Sequence, residues 1–352
     1  MGQSTYQSVV LAKRPTSLIV PGETFTMKEH EIVKAEDLKD GEVLVDTLYL
    51  SVDPAMRGWL NDTQSYVPPL KIGETMRGAV IAKVVVSKSL KFSVGDYVTC
   101  YTGWREQAVA KEKDLMPLEV PANGQLTDAL GALGTTGLTA YFGIINIGKV
   151  KAGDFVVVSG AAGATGSVVC QIAKLKGAKV LGLVGSDDKV EWLKELGCDR
   201  ALNYKDPNFP TQFKEATKDL IDVFFDNVGG EILELALSRA KAHSRFVMCG
   251  SISQYNSANP TGPKNISMII VMRIRMEGFI VYDYANEFPA ARKELAQWLS
   301  EGNLQRKETI IKGGLGAAEK ALLALYEGLN TGKLLVEVKA VNASAGLRLG
   351  TV

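Results

Sequence analysis

Up to about residue 130 the apolar positions come in short runs closed by turn residues. Residues 42–50 (EVLVDTLYL) form one such run, ended by Ser51-Val52-Asp53-Pro54, and residues 79–86 (AVIAKVVV) form another. At 93–98 the turn glycine Gly95 leads into a further strand. Runs of this kind, punctuated roughly every ten residues, predict an all-β, barrel-like module. Near Gly134 the period changes. Residues 138–147 read as a helix, 155–159 (FVVVS) as a β-branched strand and 164–176 as a helix; 178–184 read as strand, 189–196 as helix and 201–203 as strand. Further strands are expected at 222–225 and 245–249, with a helix over 231–240 between them. Strands alternating with helices of 10–15 residues predict a parallel sheet covered on both faces. From about 306 the chain reads as helix (317–329), turn (Thr331-Gly332) and strand (334–339), a segment able to return to the first module. The tail 341–352 is small and polar and reads as peripheral.

The length, 352 residues, suits two domains rather than one core. The division expected is 1–131 with 306–352, and 132–305. Hydrophobic residues make up 46% and charged residues 22%, the balance of a water-soluble globular chain. A net charge of +1 gives no basic footprint for nucleic acid. The apolar run Met268–Met272 is cut by Arg273 and Arg275, far short of the ~20 apolar residues of a membrane span. The first residues show neither a secretion signal nor a myristoylation pattern. Cys100, Cys170, Cys198 and Cys249 are widely spaced with no C-x-x-C, which argues against a disulfide framework and a cysteine-based zinc lobe and fits a reducing cytosol.

The chemistry concentrates in Phe155-Val-Val-Val-Ser-Gly-Ala-Ala-Gly163-Ala164-Thr165-Gly166. On the dinucleotide fingerprint G-x-G-x-x-G this reads Ala161-x-Gly163-x-x-Gly166. Gly163 would let backbone approach a pyrophosphate, and Gly166 would let the helix pack against the strand. The helix N–H groups and dipole would hold the anion. A strand before and a helix after supply the confirming context. The second strand's end, Gly185-Ser186-Asp187-Asp188-Lys189, has two readings. Asp187, twenty-one residues after Gly166, is placed to bind a ribose 2′-hydroxyl, which implies NAD. Alternatively Asp187 is a helix N-cap and Lys189 faces a 2′-phosphate, which implies NADP. Spacing leaves both open. Only two histidines, His30 and His243, are present, and no cysteine–histidine cluster has metal-ligand spacing. No nucleophile elbow supports a serine–histidine–acid triad. A metal-free hydride transfer remains, with hydroxyls stabilising charge on oxygen.

Eight segments in order carry a resemblance over nearly all of 7–340. They are Ser51-Val-Asp-Pro-Ala-Met-Arg-Gly58, Gly137-Leu-Thr-Ala-Tyr141, Gly160-Ala-Ala-Gly-Ala-Thr-Gly166, Gly185-Ser-Asp-Asp-Lys189, Asn203-Tyr-Lys205, Phe225-Asp-Asn-Val-Gly-Gly230, Cys249-Gly-Ser-Ile-Ser-Gln-Tyr-Asn256 and Glu277-Gly-Phe-Ile-Val-Tyr282. The chain resembles the zinc-independent medium-chain dehydrogenases/reductases, the group of the prostaglandin reductases, alkenal double-bond reductases and curcumin reductase-like enzymes. The fold this implies is α/β, a GroES-like β-barrel-type catalytic domain plus a Rossmann doubly wound parallel-sheet domain. Zinc relatives carry G-H-E-x-x-G-x-V; here the stretch is Gly73-Glu74-Thr75-Met76-Arg77-Gly78-Ala79-Val80, without the metal-site His and Glu.

The resemblance implies NADPH as cofactor and no zinc. Gly163, Ala164, Thr165 and Gly166 would hold the pyrophosphate, and Lys189 and Tyr204 the 2′-phosphate, with Ser186 also among the cofactor-binding residues. Asn227 would lie near the ribose. Cys249, Gly250, Ser251 and Tyr255 would line the path to the nicotinamide, with Phe279, Ile280 and Val281 presenting backbone to its carboxamide and Asn330 closing over it. Tyr255 is the candidate catalytic residue, with a second reading in which it only orients the ribose. The implied reaction is reduction of the C=C bond of an α,β-unsaturated ketone or aldehyde, a small-molecule carbonyl substrate. Its rivals are a carbonyl reductase or secondary-alcohol dehydrogenase on the same scaffold and a non-catalytic NADPH-binding redox sensor. Two departures, Ala55 where many relatives have a bulky aromatic and Thr135-Thr136 where they have Met-Pro, bear on the substrate. Residues 268–284 read either as a buried strand or as an edge strand pairing with a second subunit, and the resemblance implies a homodimer.

Overall fold

The computed structural model describes residues 5–341, so residues 1–4 and the tail from 342 onward lie outside the described residues. The chain divides into two compact units. One holds the described residues up to Leu130, Thr309–Leu329 and those from Leu334 onward; the other holds Gly131–Glu308 and Asn330–Lys333.

In the first unit β1 (Thr5–Leu11) and β2 (Phe25–Glu31) form an antiparallel pair. The main sheet starts from β3 (Glu42–Ser51), followed by the short helix α1 (Met56–Trp59), then β4 (Val80–Ser87), β5 (Tyr97–Cys100), β6 (Gln107–Lys111) and β7 (Met116–Pro117). β3 is the hub, antiparallel to both β4 and β6. The β3–β4 register shifts twice, after Leu44 and after Thr47, and such bulges bend and twist a ladder locally. Val43, Val45, Leu50, Val80, Val84 and Val98 pack with Trp104 and Met76 into one core.

The second unit opens with α2 (Thr135–Phe142) and then runs β8 (Phe155–Ser159), α3 (Ala164–Leu175), β9 (Lys179–Val184), α4 (Asp187–Glu195), β10 (Arg200–Asn203), α5 (Phe209–Ala216), β11 (Ile221–Asp226), α6 (Gly230–Ser238), β12 (Ala240–Met248), α7 (Met268–Met272), β13 (Arg275–Gly278) and α8 (Phe288–Ser300). Its six strands lie in the order β10-β9-β8-β11-β12-β13, and every neighbouring pair is parallel. Successive strand residues point to opposite faces, and here both faces are covered. Val156, Val158, Val180, Val223, Phe225 and Val247 join a core with Val168, Ile172, Leu193 and Leu295. Val157, Leu181, Leu183, Phe224 and Phe246 join another with Phe213, Ile232 and Leu237. After this sheet the chain continues through β14 (Glu308–Lys312), α9 (Ala318–Glu327) and β15 (Lys333–Glu337), and β15 pairs antiparallel with β3.

Several elements differ from expectation. The helix read over 138–147 begins at Thr135 and ends in a π-helical turn at Gly143–Ile147. Helix α5 fills a stretch with no expected element. Residues 268–284 form a helix turn, a four-residue strand and a 3₁₀ segment rather than one long strand, because Arg273 adopts a left-handed conformation (φ 48°) that ends α7.

Candidate functional site

In a parallel sheet all strands end on the same edge. The six carboxyl ends of this unit's sheet carry nearly every residue singled out from sequence, beside the point where strand order reverses between β8 and β11. Most of these residues are half-buried, part of neither the core nor the free surface; Gly166 and Val281 are buried.

After β8 the chain turns through Gly160 to Gly163, which caps α3 with extended backbone (φ −75°, ψ 174°). The first intrahelical bond runs from the Ser167 N–H to the Gly163 carbonyl. The N–H groups preceding it in an α-helix have no helical acceptor and present positive partial charge. At Gly166 an added Cβ would run into the Gly160 carbonyl oxygen and stand 2.8 Å from the Ala161 Cα, so helix and turn touch only because the side chain is a hydrogen. Gly332 donates its N–H to the Ala162 carbonyl at 2.7 Å. Asn330 therefore reaches the flank of this turn, where its own amide bonds the Gly332 carbonyl at 2.7 Å.

Beyond β9, Ser186 is the N-cap of α4 and Asp187 its first helical residue, which corrects the reading of Asp187 as the cap. Asp187 accepts a hydrogen bond from Asn203 Nδ2 at 2.9 Å. The Ser186 hydroxyl bonds the Asp188 carboxylate and holds it below the usual range. Tyr204, following β10, lies over Gly185: a Cβ there would stand 2.6 Å from its hydroxyl. Burial pushes the Tyr204 phenol up. Burial pulls the Lys189 ammonium down; Asp188 partly offsets this and the Lys205 charge adds to it. Two ammonium groups and two hydroxyls thus share this corner.

After β11, Asp226 is fully buried, and its Oδ1 accepts the Ser159 hydroxyl at 2.7 Å and the Val228 and Gly229 N–H groups at 3.0 Å each. Burial pushes its carboxyl up, with these bonds opposing. Asn227 bonds Ser159 twice, N–H to hydroxyl at 2.8 Å and Nδ2 to carbonyl at 2.7 Å. After β12, the Cys249 and Gly250 N–H groups return to the Asp226 carbonyl. Burial, helped by the Asp226 charge, drives the Cys249 thiol to about 12, so it is no nucleophile at neutral pH. The Tyr255 hydroxyl accepts the Ser251 N–H at 3.1 Å and sits where a Cβ on Gly250 would be 2.9 Å away. At the end of β13, Phe279 and Ile280 are half-buried, whereas the Val281 side chain belongs to the core and leaves only its backbone for a ligand.

The sequence reading did not single out Ser159, Asp226, Gly185 or Lys205. An acid closing the apolar run Ile221–Asp226 was the available signal for one of them. The two departures from relatives are also placed: Ala55 is exposed at the start of α1 in the first unit, and Thr136 bonds the Gly131 carbonyl at 2.9 Å in the second. A bare helix amino end, flanked along the same sheet edge by an ammonium corner on one side and two hydrogen-bonded turns on the other, fits an elongated ligand carrying phosphates.

Two family descriptions match the chain: N-terminal domain of oxidoreductase over residues 7–118, and zinc-binding dehydrogenase over 164–297. A putative NADP-dependent oxidoreductase, YfmJ of Bacillus subtilis, is 43% identical over 95% of this chain and 98% of its own. Prostaglandin reductase 1 of Bos taurus is 40% identical over 91% of this chain and 100% of its own. The chain belongs to the medium-chain dehydrogenase/reductase family. Within it the chain falls in the zinc-independent branch with the prostaglandin reductases. The second family description mentions zinc; among the described residues no group of three or more His, Cys, Asp or Glu side chains is arranged to hold a metal. The crystal structure of CurA in complex with NADPH from Vibrio vulnificus, 35% identical, superposes with a TM-score of 0.87 over 95% of this chain and 100% of its own.

Proposed function

We propose that this medium-chain reductase binds NADPH along the carboxyl edge of its parallel sheet and reduces the C=C bond of an α,β-unsaturated ketone or aldehyde. The observation that carries the cofactor reading is the corner formed by Ser186, Lys189, Tyr204 and Lys205, with both neighbouring acids already engaged. Asp187 is held by Asn203 and Asp188 by Ser186, so the residue types that favour a ribose 2′-hydroxyl are turned to other partners and the ammonium groups face a 2′-phosphate. Gly163 to Gly166 hold the pyrophosphate, Asn227 the ribose, and Phe279 to Val281 the carboxamide. A relative named as an NADP-dependent oxidoreductase and a neighbour solved with NADPH support this reading.

When bound, the reduced nicotinamide supplies a hydride. The chain itself must steady the negative charge that conjugation moves to the substrate oxygen, and the Tyr255 hydroxyl, an O–H donor held by the Ser251 N–H, serves there. A phenolic hydroxyl can accept one hydrogen bond and donate another, so the bond from Ser251 leaves the Tyr255 O–H able to donate. The 73–80 segment, lacking the metal-site His and Glu of zinc relatives, agrees with a substrate whose own conjugation delocalises that charge. The second reading, carbonyl reduction to an alcohol, draws on the departure at position 55, where many relatives carry a bulky aromatic and this chain carries Ala. We read the enzyme as cytosolic; among the described residues no helix is long and apolar enough to cross a membrane. We also read it as a homodimer formed around β13 and α7.

The test is oxidation of NADPH and of NADH in the presence of a simple conjugated enone, with the product separated by chromatography. A saturated ketone made with NADPH supports the proposal. An unsaturated alcohol transfers the enzyme to the second reading, turnover with NADH alone returns Asp187 to the ribose, and tight NADPH binding without turnover of any carbonyl compound makes the protein a sensor.

A further inference from the structure

Ser159 and Asp226 end adjacent parallel strands, β8 and β11, and neither side chain reaches solvent. Their hydrogen bond at 2.7 Å crosses the point where strand order reverses. From this pair two turns are built. The side-chain oxygens gather the N–H groups of Asn227, Val228 and Gly229. The Asp226 carbonyl gathers those of Cys249 and Gly250. The turns are then laced together: Ile252 donates to the Asn227 carbonyl at 3.2 Å, and Ser253 donates to the Val228 carbonyl through its N–H at 3.1 Å and its hydroxyl at 2.6 Å. Tyr255 follows two residues later.

A buried carboxylate is costly, and one oxygen of this one, Oδ2, is buried with no hydrogen-bond partner. For packing alone, leucine at 226 would fill similar space without that cost. What leucine lacks is a single acceptor for three donors, which is what shapes the turn. We propose that Asp226, with Ser159, is a positioning residue that sets the Asn227 turn and, through the carbonyls of 226, 227 and 228, the loop that carries Tyr255. It touches neither substrate nor cofactor and acts through Asn227 and Tyr255. The inference rests on the proposed role of that edge as the cofactor and reaction site.

The experiment compares Asp226→Asn, Asp226→Leu and Ser159→Ala with the unmodified enzyme in four measurements: NADPH binding by tryptophan fluorescence, kcat and KM for an enone, and midpoint of thermal unfolding. Asn keeps an acceptor oxygen where Oδ1 lies, so Asp226→Asn is expected to stay within about threefold of the unmodified kcat. Asp226→Leu removes the acceptor and is expected to lose tenfold or more in kcat with KM little changed, while remaining folded. Should Asp226→Leu not fold, Ser159→Ala, which removes the donor to Oδ1 and the acceptor of the Asn227 N–H, is expected to show the same kcat loss to a lesser degree. A leucine variant with unmodified kcat, or losses in unfolding midpoint with no kcat change in any variant, overturns the proposal. If the unmodified enzyme binds NADPH yet reduces no enone, the functional reading fails instead, and the pair is judged by NADPH affinity alone: unchanged affinity in Asp226→Leu and Ser159→Ala overturns it, a rise of tenfold or more in Kd supports it.

Discussion

At the scale of single residues, the consequences are electrostatic. Lys189 is the ammonium that burial and Lys205 both disfavour, so a phosphate beside it relieves repulsion as well as forming a charge-assisted bond. Such bonds are worth about 1.5–3 kcal/mol, and partial exposure of the side chain reduces this. Lys189→Ala is therefore expected to weaken NADPH roughly tenfold while leaving NADH binding nearly unchanged, read by fluorescence titration with both cofactors. His30 gives a pH prediction of a different kind. Its Nε2 lies 2.8 Å from the Ser8 hydroxyl and its ring stacks on Tyr6 at 4.9 Å. Burial first, then the charges of Lys28 and Arg105, lower its pKa. The folded chain thus holds His30 neutral at a pH where the unfolded chain, titrating near ~6.5, takes up a proton. The unfolded state then binds more protons, and stability falls as pH drops below that value. Unfolding midpoints between pH 8 and pH 5 should show this slope, and His30→Gln should reduce it.

At the scale of elements, close packing fixes what composition leaves open. The approach of α3 to the turn before it depends on Gly166, where the atoms a methyl would meet are backbone. Gly166→Ala is expected to destabilise the fold by ~1–3 kcal/mol, the usual range for overpacking, and to weaken NADPH as the helix end shifts. Denaturant melts with and without NADPH separate the two effects. Elements with strong local periodicity were legible: β8, β9, β11 and α3 follow the apolar runs closely. Helix α5 was not, although Phe209 and Phe213, four residues apart and both buried, were the signal for it. Residues 268–284 misled because apolar residues recur on both sides of Arg273 and Arg275, whereas the break at Arg273 depends on a left-handed backbone conformation that no side-chain pattern encodes.

At the scale of the whole molecule, β13 is one of the two edge strands of the six-stranded sheet, and α7 beside it exposes Ile270 (79%) and Val271 (58%). Short charged strands guard an edge, and β13, with Arg275 and Glu277 paired on it, is of this kind. The apolar side chains of α7 are what a second subunit would cover. Light scattering is expected to give twice 37.9 kDa, with Ile270→Glu shifting the mass towards that of one chain. A mass of 37.9 kDa for the unmodified protein would remove the dimer.

The sequence by itself determined the alternation that makes a doubly covered parallel sheet and the glycine spacing at the first strand end. It also determined the residue types expected at the other ends, because each of these depends on neighbours a few positions apart. Only the tertiary structure decided that Asp187 turns to Asn203 while Tyr204 lies over Gly185, that residues 330–333 sit beside the Ala162 turn, and that a buried serine–aspartate pair underlies the Asn227 turn. These depend on atoms brought together from strands 16 to 170 positions apart in the chain, and local pattern carries no information about such distances.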